Sequence, residues 1–242
     1  MMLLSQKRAI ARLTNLFLAR RGLRSRRHLE ISQLVSDGFQ FLDSVSLADQ
    51  MKINEELREC VFQLDEEKEK ISFAQATLGE FSGAARVFNP HLVCPTIKKL
   101  SDNPKTQRLV QLFFTGFSPR LASSQVWILS PRASGDASDY GLHYDIDSYG
   151  FLKCFYYLTD PIVTKGVHEY VKGSHRDRSI KKLLNRRRQR SDFINQITEV
   201  YSEQGPGQGF IENTFGYHAA TLPERPRIML QFVYAITSAK LG

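Results

Sequence analysis

Cysteine is scarce in this chain: three among 242 residues, at Cys60, Cys94 and Cys154. An odd number without zinc-type spacing excludes a disulfide framework and reads as reduced core thiols. Long apolar runs are missing too. No stretch reaches the ~20 residues that cross a bilayer as a helix. The Leu13–Ala19 run is short, broken by Thr14 and Asn15, and followed by Arg20-Arg21, which argues against a secretory signal. Acidic residues are absent from residues 1–29, where eight Lys or Arg stand. An Arg-rich, acid-free start resembles a mitochondrial transit peptide; a basic surface helix on a cytoplasmic protein is the stronger reading. Internal repeats and low-complexity linkers are also lacking. With 42% hydrophobic residues and sixteen Phe, the chain fits one packed domain.

The net charge of +8 is concentrated. A second basic block, residues 176–190, holds eight Lys or Arg against Asp177 alone. Without the two blocks, seventeen basic residues face twenty-four acidic ones, so the body carries −7. Neither block interleaves basic with aromatic residues. A nucleic-acid-binding module built on the two blocks is therefore the weaker alternative.

Residues 2–35 carry apolar positions such as Ile10, Leu13 and Phe17 at helical spacing, which predicts a basic helical extension over 1–34. Asp37-Gly38 then turns into a strand at Phe39–Leu42. Ser46 with Asp49 three residues on predicts the start of a helix bearing Leu47, Met51, Ile53 and Leu57. Residues 65–70 are charged, and a further helix is expected over Gln107–Phe114. After Pro119 the character changes. Short β-branched or aromatic runs at Gln125–Ser130, His143–Ile146, Leu152–Leu158, Glu169–Val171, Gly209–Glu212 and Ile228–Ala235 are separated by turn residues. Helices followed by antiparallel-looking strands predict an α+β chain with a sandwich or jelly roll in its C-terminal half. The basic stretch at about 176–200 is expected to be a helical insertion.

Six histidines are present, at 28, 91, 143, 168, 175 and 218, and any one of them is ordinarily a surface or core residue. His143 stands apart because Asp145 follows at i+2. On a strand, alternation turns both side chains to one face. His218 stands apart because an apolar strand and a small-residue turn deliver it. Two imidazoles and one carboxylate leave three sites of an octahedral metal open, the arrangement non-heme Fe(II) oxygenases use. Asp147 shares the face of Asp145 but lies ~13 Å along an extended strand from His143, against ~7 Å for Asp145. Arg227 opens the next strand, where a guanidinium can hold a dicarboxylate co-substrate by a two-pronged ion pair. Arg225, between two prolines, is expected on the turn.

From His143-Tyr144-Asp145 through Leu152–Asp160 to Gly166–His175, and again over Gly209–Tyr234 with His218 and Arg227, the chain resembles the phytanoyl-CoA dioxygenase family. Asp37–Leu42 followed by a Ser-capped helix matches the usual opening of such chains. The resemblance spans about 35–236 and is weak over 60–120 and 176–205. It implies a double-stranded β-helix (a jelly roll, cupin-like) flanked by N-terminal helices, forming one dioxygenase domain over 35–242. It further implies Fe(II) held by His143, Asp145 and His218, with 2-oxoglutarate anchored on Arg227 and O2 as oxidant. His175 would be structural. One departure stands out: where many members carry a hydroxyl two positions after the distal histidine, this chain has Ala220. Lys153, Tyr157 and Gln125 are the candidates for the missing co-substrate contact, Lys153, Phe155 and Tyr157 sharing a face expected to point inward. The function expected is hydroxylation of a small metabolite, with 2-oxoglutarate and O2 leaving as succinate and CO2. A metal-binding jelly roll without turnover is the alternative. For the block led by Arg186, Arg187 and Arg188, attraction of an anionic substrate competes with a plain solvated face. Oligomeric state is not readable.

Overall fold

The computed structural model describes residues 29–64, 69–131, 141–177, 179–201 and 205–236, with positions 6, 9, 10, 13 and 14 before them. The expected extension over 1–34 and the charged segment 65–70 thus fall largely outside the described residues.

In chain order the strands begin with β1 (Phe39–Leu42), β2 (Val61–Leu64), β3 (Lys70–Ser72), β4 (Ala84–Phe88) and β5 (Arg120–Leu129). Next come β6 (Leu142–His143), β7 (Phe151–Tyr157), β8 (His168–Val171) and β9 (Arg187–Arg188). The last are β10 (Ile197–Glu199), β11 (Gly209–Glu212), β12 (His218–Ala220) and β13 (Arg227–Ala235). They form two antiparallel sheets, one ordered β1-β11-β7-β13-β5-β4-β2-β3 and the other β10-β8-β12-β6-β9. This is a double-stranded β-helix core with flanking N-terminal helices. Strands β2, β3 and β4, which the mixed signals of the N-terminal half conceal, lengthen the larger sheet at one edge.

The larger sheet is covered on both faces, so β7 and β13 are buried along their whole length and read as continuous apolar runs. Leu152, Cys154 and Tyr156 of β7 join Ile228, Leu230 and Phe232 of β13 under the helices. There they meet Ile53 and Leu57 of helix Leu47–Arg58 and Val110 and Phe113 of helix Pro104–Phe113. The first of these helices starts as expected, Ser46 accepting a hydrogen bond from Asp49 N at 3.1 Å. Leu47 and Met51, counted with its apolar face, are instead exposed. The other face of the sheet looks into the β-helix. Phe155, Tyr157, Phe210 and Met229 pack there with Phe39, Tyr170 and Val200. Lys153 shares the inward face by alternation with Phe155 and Tyr157, as expected.

The basic stretch 176–200 is not a helical insertion. Helix Ile180–Leu184 is five residues long, and then β9 pairs with β6 while β10 pairs with β8. The segment supplies both edges of the smaller sheet. Unpaired backbone groups at the edges of β6 and β8 offer it ladder bonds, and these outweigh the helix preference of Lys and Arg.

The segment is fastened by Lys182, which is fully buried. Its ammonium donates to Ser174 O and lies 4.4 Å from the Phe215 ring centroid and 5.6 Å from those of Tyr144 and Tyr217. Burial, only partly offset by Asp177, lowers its pKa from 10.5 to about 7. Between those values the unfolded chain holds a proton that the folded chain lacks, so stability rises with pH across that window. Below pH 7 both states are protonated and this dependence vanishes. Lys182→Met is expected to fold and to flatten the rise. Urea unfolding at pH 7.5 and 9.5 should show wild type gaining on the order of 2 kcal/mol more than the variant. Equal gains would refute the assignment.

Candidate metal centre

β6 pairs on one side with β12 and on the other with β9, so that His143 faces His218 across one ladder and Arg187 across the other. Directly opposed residues of an antiparallel pair bring their side chains together, and the two imidazole centroids are 4.5 Å apart. Regular strand stops at His143, so alternation is not what turns Asp145 the same way. An irregular continuation does so, with Tyr144 N bonded to Arg186 O at 3.2 Å and Asp145 N to Thr214 O at 2.8 Å.

One potential ligand atom from each of His143, Asp145 and His218 lies within 4.8 Å of the others. His143 Nε2 is 3.8 Å from Asp145 Oδ1, and His218 Nε2 is 3.3 Å from Asp145 Oδ2. Each Nδ1 turns back to a carbonyl two residues earlier, His143 to Gly141 O at 2.8 Å and His218 to Gly216 O at 3.0 Å. A carbonyl only accepts, so in the neutral ring each Nδ1 carries the proton and each Nε2, on the side of the carboxylate, is the nitrogen left for a metal. The three residues fit a divalent metal of the kind imidazole and carboxylate hold. Gly216 is needed in this turn, because a Cβ there would overlap the Tyr170 hydroxyl that bonds Asn213 O.

Asp145 is buried. Desolvation alone would raise its pKa, but Lys153, and behind it His218 and His143, hold the carboxyl well below the usual range. Lys153 Nζ lies 2.7 Å from Asp145 Oδ2 and 2.6 Å from Asp147 Oδ2. The ammonium offered above as a co-substrate contact thus bridges two carboxylates. Asp147 itself sits outside the three-residue cluster, paired with Lys153. For His218, burial disfavours the charged form, and Asp145 more than offsets that, raising its pKa.

Deeper in the β-helix lies a pair with no expected role. Glu212, wholly buried at the end of β11, has Oε2 2.7 Å from His168 Nε2 and Oε1 3.8 Å from His218 Nδ1. The His168 ring stacks on His218 with centroids 5.5 Å apart. Burial lowers the His168 pKa, Glu212 opposes this, and Arg227 adds to the lowering. The signal in the sequence is an acid on the same strand face as Phe210, within an otherwise apolar run.

Arg227 is buried at the start of β13, on the inward face it shares with Met229, and its Nη1 donates to Gly166 O at 3.1 Å. Its charge bears on both His168 and Tyr157, so a buried guanidinium stands near them in the interior. That position fits an anionic end of a co-substrate. The Tyr157 hydroxyl donates to Val200 O at 3.2 Å and accepts from His168 N at 2.8 Å, joining β7 to β8 and to the residue that follows β10. Gln125 is half-buried opposite Gln231 of β13. Arg225 is exposed on its bend. His175 is buried away from the cluster with Nε2 3.2 Å from Val35 O, and burial brings its pKa down to about 3.

The basic segment borders this centre. Arg186 Nε donates to Tyr144 O at 2.8 Å, and its Nη2 lies 3.7 Å from Asp145 Oδ1. Arg188 pairs with Asp192 at 2.7 Å and Arg190 with Glu169 at 2.7 Å. No run of residues before β6 or β9 announces the contacts of Arg186, because they depend on a ladder between residues over forty positions apart.

No family model matches the chain, and no curated protein matches it. Solved structures do. HygX from Streptomyces hygroscopicus, with nickel, 2-oxoglutarate and hygromycin B bound, aligns at TM-score 0.59 and 17% identity over 86% of each chain. The non-heme alpha ketoglutarate dependent epimerase SnoN from nogalamycin biosynthesis aligns at 0.58 and 15% over 88% of this chain and 80% of its own. EctD from S. alaskensis, with 2-oxoglutarate and 5-hydroxyectoine, aligns at 0.55 and 15% over 86% and 75%. At these identities the likeness establishes the fold alone: this chain has the double-stranded β-helix that those structures share, and its own His-Asp-His cluster is able to chelate a metal ion.

Proposed function

We propose that this protein is an Fe(II)- and 2-oxoglutarate-dependent dioxygenase acting on a C–H bond of a small molecule. One atom of O2 goes to the substrate as hydroxyl and the other to 2-oxoglutarate, which leaves as succinate and CO2. The observation that carries this reading is the pair of Nε2 atoms aimed at one carboxylate by two back-bonded Nδ1–H groups. The three structural neighbours described above, two holding 2-oxoglutarate and one dependent on alpha ketoglutarate, support the co-substrate.

His143, Asp145 and His218 would hold the iron, which when bound supplies the activation of O2. The chain's own residues do the rest. Lys153 keeps Asp145 ionised and Asp147 shares its charge, so the ligand carboxylate stays an acceptor. Arg227 would take the far carboxylate of 2-oxoglutarate. Phe155 and Phe210, stacked with centroids 5.1 Å apart, line the interior and exclude water. Arg188 and Arg190 are spent on internal ion pairs and Lys182 on its aromatic cage. This favours a small-molecule substrate over a nucleic acid. Among the described residues no helix is long and apolar enough to cross a membrane.

Anaerobic titration with Fe(II) and 2-oxoglutarate tests the reading. Wild type is expected to develop the weak visible charge-transfer band of the chelate, and His143→Ala to lose it. An iron-replete wild type without the band would overturn the proposal.

A further inference from the structure

We infer that Arg186 is the anchor for an anionic group of the substrate, a carboxylate or a phosphate, at the mouth of the metal centre. The inference rests on the dioxygenase reading and extends it to substrate class. Three observations support it.

The first is position. Arg186 O and Nε bracket the backbone of Tyr144, the residue between two candidate ligands, and Nη2 stands 3.7 Å from Asp145 Oδ1. That separation is too long for a hydrogen bond, and Asp145 already has Lys153 at 2.7 Å. Its side chain is 47% exposed, whereas the side chains of Lys153 and Asp145 are each 9% exposed. Among the described residues no hydrogen bond occupies its Nη atoms. The guanidinium therefore has one edge fixed to the site and another turned outward, able to take a two-pronged anion.

The second is rigidity. Asn185 O accepts from the Tyr217 hydroxyl at 2.6 Å, Lys182 is caged three residues before that, and β9 begins one residue after Arg186. A group so held loses little entropy when it binds a ligand. The third is selectivity among the basic residues. Arg188 and Arg190 have acid partners at 2.7 Å, so among the arginines at β9 and its flanks the charge offered to a ligand is that of Arg186 and its neighbour Arg187. An anion on Arg186 lies next to Asp145, which sets the oxidised carbon a few bonds from the anionic group.

The test uses the whole protein loaded with Co(II) and 2-oxoglutarate, with Co(II) absorption as the readout. The probes are hexanoate against hexanamide and hexyl phosphate against hexanol. Wild type should favour at least one anionic probe at least about tenfold over its neutral partner, and the favoured anion identifies the headgroup. Arg186→Gln should cut that preference below about threefold, Arg186→Lys should keep part of it, and Arg187→Gln should keep most. A loaded wild type with no preference overturns the inference, as does a preference that survives in Arg186→Gln or disappears equally in Arg187→Gln. So does a tenfold loss of 2-oxoglutarate affinity in Arg186→Gln, which would assign the guanidinium to the co-substrate. A wild type that takes up no Co(II) through His143 sinks the dioxygenase reading itself, and the inference with it.

Discussion

Asp145→Asn is expected to lower divalent-metal affinity by about a thousandfold or more, the largest effect of any single substitution at this site. The change removes a ligand charge and does more besides. Asp145 is the anion toward which Lys153, Arg186 and both histidines turn. With asparagine there, the arriving cation meets a guanidinium that is no longer offset and an ammonium offset by Asp147 alone. Breaking a buried ionic contact typically costs about 3–5 kcal/mol, and the lost ligand bond adds to it. Folding should suffer less than binding, because Asp147 still holds Lys153 at 2.6 Å. Equilibrium dialysis with Co(II) gives the first quantity and urea unfolding the second. Asp147→Asn is the control: it should change metal affinity less than about tenfold. Should the two variants fall equally, the assignment of Asp145 over Asp147 is wrong.

Arg227→Gln is expected to raise the 2-oxoglutarate needed for half-saturation by about a hundredfold, leaving Co(II) affinity within about threefold. Truncating one side of a desolvated ion pair costs about 2–5 kcal/mol, and Arg227 is 1% exposed. Its stem also packs on Gly166, where a Cβ would come within 2.8 Å of Arg227 Cδ. Glutamine keeps a Cδ but not the Nη1 that donates to Gly166 O, so a stability loss of roughly 1–3 kcal/mol should accompany the binding loss. The two are separable, since thermal unfolding without ligand reports the packing and a chelate titration reports the anion site. Unchanged 2-oxoglutarate affinity in a folded variant would remove Arg227 from the co-substrate site.

The neighbours with which the chain shares its fold are 14–17% identical to it. At that distance His143, Asp145 and His218 were legible because each has a local marker. The first two stand at i and i+2, and the third ends an apolar run. The place of Arg227 at the opening of its strand was legible from the turn before it, Leu222–Pro226. The inward face of Lys153, Phe155 and Tyr157 followed from alternation alone. Glu212 left only a faint trace, one acid on an apolar face, and Lys182 left none, since a lysine in a basic block reads as solvated.

The sequence by itself determined the residue types of the metal cluster, the period-two faces of β7, β11 and β13, and the acidic body with two basic blocks. These depend on spacing within a few positions, which backbone geometry translates directly into direction. Tertiary structure alone decided that Asp145 reaches the cluster after its strand has ended, and that the ammonium of Lys153 belongs to Asp145 and Asp147. It also decided that residues 176–200 become sheet edges instead of a helix, which sets Arg186 beside the centre. Each of those outcomes depends on ladder bonds or ion pairs between distant segments. Their energies exceed local propensity, and they exist only once the two sheets have closed.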